Sequence, residues 1–310
     1  MGKESDVVGG LLLLDKPMGI TSHDAVARAR RWLGTRRVGH AGTLDPMATG
    51  LLTLCIGQAT RLVEYLVGQD KHYSAVIRLG ARTNTDDAEG EVVQTYPVPE
   101  VTSDGLAALA ARFLGEIEQV PPQFSAIKKD GVRAYARARQ GEEVDLAARR
   151  VQIYSLVLRR DEAESALLHA EIHCGSGTYV RALARDIGMI LGCGAHLSAL
   201  RRTAVGNFDV KDALTADDAQ ALADQGQLAA RLRPADTVLS AAPLVNLNAA
   251  QARGICRGQS VRMDVGTSAE LCRVYGPGGV FLAVGSVDKG LLRPIKVLAA
   301  EENAADTVVS

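Results

Sequence analysis

Residues 38–52, VGHAGTLDPMATGLL, set one carboxylate, Asp45, among small and apolar side chains. A carboxylate works as a nucleophile or a base only if it is held ionised and aimed at a substrate. Pro46 restrains the backbone of Asp45 toward extended geometry, and Gly42 and Gly50 permit tight turns on either side. His40 lies five residues upstream in the same predicted loop. No cation adjoins Asp45 in the sequence. The structural alternative is an aspartate that only caps a turn before proline.

Other signatures of chemistry are missing. The chain has no GxxxxGK[ST] phosphate loop, no HExxH, no GxSxG elbow and no dinucleotide fingerprint after a strand. Cys55, Cys174, Cys193, Cys256 and Cys272 are odd in number, far apart and form no CxxC pair, so they read as small buried hydrophobes. His169 and His173 share one hairpin strand, and metal ligation by that pair is the less favoured reading. The expected chemistry uses neither a metal nor an organic cofactor.

The 310 residues are 47% apolar and 23% charged, the composition of a soluble protein long enough for two cores. The N-terminus, MGKESDVVGG, has neither a signal-peptide core nor an Arg-rich transit pattern, so a cytoplasmic location is expected. A net charge of −1 conceals segregation. From Ala25 to Leu44 the charges are Arg28, Arg30, Arg31, Arg36 and Arg37, with no acid. A second basic stretch carries Lys128, Lys129, Arg133, Arg137, Arg139, Arg149 and Arg150. Such clusters are either solvated faces or phosphate-binding surfaces.

The elements that must carry these residues follow from pattern. Leu11 to Asp15 is an apolar run ending in a Lys16-Pro17-Met18-Gly19 turn. Thr21 or Ser22 caps a helix with Val26, Ala29 and Leu33 inward, stopped by Gly34. Residues 73–79 alternate as a strand that turns Tyr73 inward. Ser103 caps a helix stopped by Gly115. Residues 119–147 lack a period and are long for a loop, which points to a functional or a disordered segment. Strands at 151–158 and 167–173 form a hairpin, GSGTYVRALARDIGMIL turns from glycines into a helix, and another helix runs from Thr215 to near Pro234. Composition changes at Ser240-Ala241-Ala242-Pro243, and short β runs beyond it predict a small all-β unit.

HAGTLDPMATGLL resembles the most specific motif of the pseudouridine synthases of the tRNA Ψ55 (TruB) type. The resemblance continues in order through LLLLDKPMGITSHDAV at 11–26, GQATRLVEYL at 57–66, KHYSAVIRLGARTNTDDAEG at 71–90, VPPQFSAIKKDGVRAYARARQGEEV at 120–144, GSGTYVRALARDIG at 175–188 and GCGAHLSALRR at 192–202. It spans roughly residues 9–215, and a weaker likeness to the family's RNA-binding PUA domain follows Pro243.

The resemblance implies an α+β fold: a mixed, mostly antiparallel sheet with flanking helices plus a small C-terminal barrel-like PUA domain. The implied division is a flexible 1–8, a catalytic domain at 9–240 with an RNA-binding insert at 119–147, a PUA-like domain at 243–300 and an acidic tail at 301–310. Asp45 matches the essential aspartate, acting through a covalent adduct at C1′ or through abstraction of the C2′ proton. Arg181 matches the arginine that pairs with it and would keep it ionised, and Tyr73 matches the active-site tyrosine that stacks on the base. Tyr179 and Leu200 match the uracil pocket, and His40 matches a histidine inserted into the T loop. Lys16, counted with the substrate-binding set, falls in the KPxG motif and reads as support beneath the catalytic loop. Arg36, Arg37, Lys128, Lys129 and Arg133 would track the RNA backbone. Asn84 departs from the family's usual TDTxDxxG.

The implied activity is isomerisation of uridine 55 in the tRNA T loop after base flipping, with no cofactor or metal, by a cytoplasmic monomer that needs no protein partner and no membrane. Rival readings are a guide-RNA-dependent rRNA synthase and a non-catalytic RNA-folding protein on the same scaffold. A glycosidase would require a second catalytic carboxylate in a comparable motif, and none is apparent.

Overall fold

A computed structural model of the chain describes residues 9–124, 146–263 and 268–299, together with the backbone of two short strands between them. The first unit is built on strands β1 (Gly10–Lys16), β2 (Val38–Ala41), β3 (Thr49–Ile56), β4 (Lys71–Leu79), β5 (Ala81–Thr83), β6 (Val92–Thr95), β7 (Gly115–Gln119), β8 (Lys128–Lys129), β9 (Val132–Arg133), β10 (Arg149–Arg160), β11 (Leu167–Cys174) and β12 (Ala195–Val205). Its main sheet runs β1-β3-β12-β4-β11-β10-β7, with β2 also paired to β3 and the short strand Leu214–Thr215 parallel to β1 at the edge. Neighbours on that path are antiparallel except β3 and β12. The sheet is therefore mixed and mostly antiparallel, as expected.

The run Leu11 to Leu14 is apolar throughout because β1 lies between two cores. Leu12 and Leu14 face one core with helices α1 (Ser22–Trp32), α3 (Ser103–Ala111) and α4 (Val180–Ile190), the short α2 (Val63–Val67) lying elsewhere. Leu11 and Leu13 face the other, with Leu62, Leu66, Val238 and Leu239. Successive strand residues point to opposite faces, so only an unbroken apolar run can satisfy both.

Thr21 caps α1 in a reciprocal box with Asp24. Thr102, not Ser103, caps α3, because the Thr102 hydroxyl accepts from the amide of Gly105. That helix ends at Ala111, before Gly115, which opens β7 at φ +88°. The helix after Thr215, α5 (Ala216–Asp224), stops well short of Pro234, at a turn where Gly226 takes φ +69°. The stretch 38–52 is not one loop. Antiparallel pairing of β2 with β3 leaves only 42–48 as a turn and places His40 on a strand opposite Leu54. Much of 119–147 lies outside the described residues.

The C-terminal unit is a five-stranded sheet of Leu244–Asn246, Ala269–Tyr275, Phe281–Asp288, Leu291–Val297 and Val261–Arg262, in that spatial order. It is not all β: α6 (Ala249–Cys256), capped by Asn248 and Gln251, packs Ala252 and Ile255 into its core. Eight residues with two buried positions give too little periodicity to read as a helix. Val284 and Leu298 join the second core, and Lys296 pairs with Glu64 at 2.7 Å. Among the described residues no helix is long and apolar enough to cross a membrane.

Candidate active site

The turn bearing Asp45 is fastened at several points. The hydroxyl of Ser22 accepts from the amide of Leu44 at 2.9 Å and donates to its carbonyl at 3.1 Å. Arg202 donates to the carbonyl of Gly42 at 3.0 Å and, through Nε, to that of Leu51 at 2.8 Å. The amide of Gly19 reaches the carbonyl of Pro46 at 2.9 Å. Gly50 is obligatory here: it takes φ +100°, and a Cβ would lie 2.2 Å from the carbonyl oxygen of Arg202.

Lys16 is fully buried beneath this turn. Its ammonium donates to the carbonyls of Pro17 at 2.9 Å, Ile20 at 2.8 Å and Pro46 at 3.4 Å. It does not line the cavity, so its geometry is that of a brace. Burial pushes its pKa down to about 8, against the attraction of Asp45. Lys16→Met strands three carbonyls, and we expect a loss of about 2 kcal/mol in urea unfolding at pH 7. The folded state binds fewer protons than the unfolded chain between the folded value of about 8 and the ordinary 10.5. Wild-type stability therefore gains with pH across that window. The variant lacks this gain, so its deficit should widen from pH 8 toward 10.5; a constant deficit would refute the assignment.

Arg181, 136 residues away from Asp45, supplies the cation missing from the local sequence. Its Nε lies 3.0 Å from Oδ2 of Asp45, and one terminal nitrogen lies 3.3 Å from Oδ1. The same nitrogen donates to the carbonyl of Phe124 at 3.0 Å. The other donates to Oδ2 of Asp87 and to the carbonyl of Thr85, both at 3.3 Å. The two terminal nitrogens thus donate four hydrogen bonds, and Nε adds an ion-pair contact to Asp45. A cation in the first turn of α4 opposes the helix dipole, and two carboxylates compensate for it. Arg185, one turn later, meets Asp86 at 3.0 Å. Asp86 takes φ +61°, which sends consecutive carboxylates to consecutive arginines.

Asp87 and Arg202 were not singled out from sequence, although both lie within the quoted motif stretches. Their separation in the chain from Asp45 hid them. Asp87 is 3% exposed and also accepts from the hydroxyl of Thr85 at 2.6 Å and the amide of Glu89 at 3.1 Å. The carboxylate of Asp45 is pushed above its ordinary range, first by burial and then by Asp87, with Arg181 and Lys16 pulling the other way. Arg181 was expected to leave Asp45 easily ionised; desolvation outweighs it. Burial also raises the phenol of Tyr73, against the nearby Arg202. Asn84 keeps a loop-ordering contact, since its side-chain oxygen accepts from the amide of Glu91 at 3.0 Å.

These groups converge on a cavity of about 770 Å³ lined by Asp45, Tyr73, Tyr179, Arg181 and Leu200, with Lys71 and Phe124 also in its wall. Tyr179 is set by its amide, which donates to the side chain of Gln119 at 2.8 Å. His40 does not line the cavity; it packs edge-on against His23, which does, with ring centroids 5.5 Å apart. Arg36 and Arg37 are exposed on the turn between α1 and β2. Lys128, Lys129 and Arg133 are placed only by the backbone of β8 and β9. His169 pairs with Asp161 and His173 with Asp70, so the two do not converge on one ligand. No cluster of three metal-ligating side chains occurs among the described residues.

Three family models match successive parts of the chain. Residues 30–180 match the family model described as TruB family pseudouridylate synthase (N terminal domain). Residues 181–240 match the tRNA pseudouridylate synthase B C-terminal domain, and 243–298 match pseudouridine synthase II TruB, C-terminal. The tRNA pseudouridine synthase B of Cupriavidus metallidurans is 46% identical over 301 residues, covering 94% of each chain. That of Ralstonia nicotianae is 47% identical over 298 residues, again with 94% of each covered. Among solved structures, an H/ACA RNP bound to a substrate RNA containing 2′-deoxyuridine matches with a TM-score of 0.71 at 22% identity, covering 94% of this chain and 86% of that one. A Cbf5-Nop10-Gar1 complex gives 0.71 at 24% identity, covering 96% and 87%. At such identity these two speak for the fold.

Proposed function

The chain belongs to the TruB family of pseudouridine synthases, and on that premise we propose that it isomerises uridine 55 in the T loop of tRNA, without a cofactor. The observation that carries this reading is the pairing of Arg181 with both carboxylate oxygens of Asp45 at the wall of a cavity of about 770 Å³, roomy enough for an extruded nucleotide. The reaction breaks the bond between C1′ and N1 of uracil, turns the base, joins C5 to C1′ and releases the C5 proton. Ionised Asp45 serves either as nucleophile at C1′ or as base toward C2′. The guanidinium fixes both carboxylate oxygens, and pre-set geometry of this kind lowers the entropic part of the barrier. Tyr73 and Leu200 supply the walls for the extruded base, with the ring of Tyr73 stacking on it. Extraction of a base from its stack costs a few kcal/mol; His40, beside the cavity mouth, fills the vacancy left in the loop.

The protein acts as a cytoplasmic monomer on free tRNA, with residues 9–240 catalytic and 243–300 an RNA-binding unit. The relatives named tRNA pseudouridine synthase B match along almost the whole chain. A guide-RNA-dependent role has only the distant structural neighbours in its favour.

The test is tritium release from an unmodified tRNA transcript labelled at uridine C5, run beside a transcript with cytidine at position 55. Release from the uridine-55 transcript alone is the expected result. Tight binding without release would leave an RNA-folding protein, and release from both transcripts would mean another target uridine.

A further inference from the structure

His23 has no part in the site as described. It sits at the start of α1, is exposed, and lines the cavity beside Thr21, Thr43 and Leu44. Among the described residues its ring makes one contact, the edge-on packing with His40 at an interplanar angle of 79°, and no hydrogen bond or ion pair. The Nδ1 atom of His40 is itself buried without a hydrogen-bond partner among the described residues. His23 thus stands at the cavity with its polar atoms facing solvent, and behind it His40 keeps one buried nitrogen without a partner, where buried polar atoms normally have one.

The rest of α1 gives this pair a direction. Ala27, Arg30 and Arg31 are exposed, at helical positions i+4, i+7 and i+8 from His23. The stripe runs roughly 12 Å along the helix at 1.5 Å per residue. Ala27 offers no bulk between its ends, and Arg36 and Arg37 continue it past the helix. No acid lies between Ala25 and Leu44. The one acid beside His23, Asp24, is engaged by the amide and hydroxyl of Thr21 at 2.9 and 2.7 Å. A cationic stripe ending at a cavity mouth is complementary to a polyanion entering that cavity.

We propose that His23 is a second RNA-contacting histidine: with Arg30 and Arg31 it holds the phosphate backbone of the strand whose uridine enters the cavity, setting affinity while leaving the chemical step to Asp45. This rests on the tRNA reading above and adds a residue to it. Each phosphate contact contributes through counterion release, and its removal reduces the salt dependence of binding by about one unit of slope.

The test is binding of the unmodified tRNA transcript across a salt series at one fixed pH. The proteins are wild type, His23→Ala, His23→Arg, Arg31→Ala and, as a distant loss of charge, Arg159→Ala, each checked for an unchanged melting temperature. His23→Ala should bind about tenfold more weakly, with a slope shallower by about one and a single-turnover rate at saturation within about twofold of wild type. Arg31→Ala should behave alike, His23→Arg should restore both quantities, and Arg159→Ala should change neither. Unchanged affinity and slope in His23→Ala would overturn the proposal, as would a slowed saturating rate at unchanged affinity. Wild type that binds but releases no tritium would sink the enzymatic reading while leaving the contact itself measurable.

Discussion

Asp45→Asn should bind tRNA as wild type does and release no tritium from uridine C5. The amide keeps the size of the carboxylate and can still accept from Arg181 at the 3.0 Å position. It can neither attack C1′ nor remove the C2′ proton, so both chemical routes close together. Loss of at least about 10⁴-fold in the single-turnover rate is expected, on the scale of removing an acting nucleophile or base. Stability should change little, because Arg181 retains Asp87 and two carbonyl acceptors. Equal loss of binding and turnover would mean that Asp45 holds the turn together and does no chemistry.

Arg181→Met should be damaging in two separable ways. The guanidinium is 8% exposed and stands between Asp45 and Asp87, which is 4% exposed in its side chain. Removing it leaves two carboxylates facing one cavity without their shared cation. Breaking a buried ion pair from one side costs about 3–5 kcal/mol, measurable as a lower urea midpoint at pH 7. The pH dependence follows from Asp45, whose folded pKa already lies above the ordinary carboxylate value. A folded pKa above the unfolded one means that the native state holds the proton longer, so stability is present at low pH and is lost as pH rises through the folded value. In wild type Arg181 limits this rise; in the variant Asp45 rises further, and the stability deficit should shrink on acidification. The acid limb of the single-turnover rate should move to higher pH for the same reason. An acid limb at the wild-type position would show that Arg181 does not govern the ionisation of Asp45.

Asp87→Asn makes the complementary case. Asp87 raises the pKa of Asp45, so its neutralisation should move the acid limb to lower pH. Opposite displacements in the two variants, read in the same tritium assay, would identify Arg181 as the balance point between two carboxylates.

Several features of this site were visible in the sequence because they are local, and the resemblance to a known family joined them into one proposed constellation. An isolated aspartate between glycines and before proline, an arginine too early in its helix and a tyrosine on an alternating strand are each features of a few consecutive residues. Capping is equally local, and Thr21 with Asp24 closes α1 within one turn. Errors arose where neighbours compete or where pairing decides. Thr102 displaced Ser103 as a cap because both hydroxyls are adjacent, and only backbone geometry selects one. The 38–52 stretch divided into strand, turn and strand because β3 lies beside β2, a long-range arrangement that no window of sequence contains.

By itself, then, the sequence determined the apolar alternation, the cap of α1 and the segregation of arginines, because each of these depends on residue type and short spacing; Asp45 stood out as an isolated acid, and Tyr73 and Arg181 were marked only by the family motifs that contain them. The tertiary structure decided which charges meet. Asp45, Asp87 and Arg181 come from a turn, a hairpin and a helix, and only sheet pairing and burial of α4 against the core set them within hydrogen-bonding distance. Burial also decided the direction of the Asp45 pKa, against the nearby cation. Solvent access is a property of the packed chain and has no counterpart in residue order.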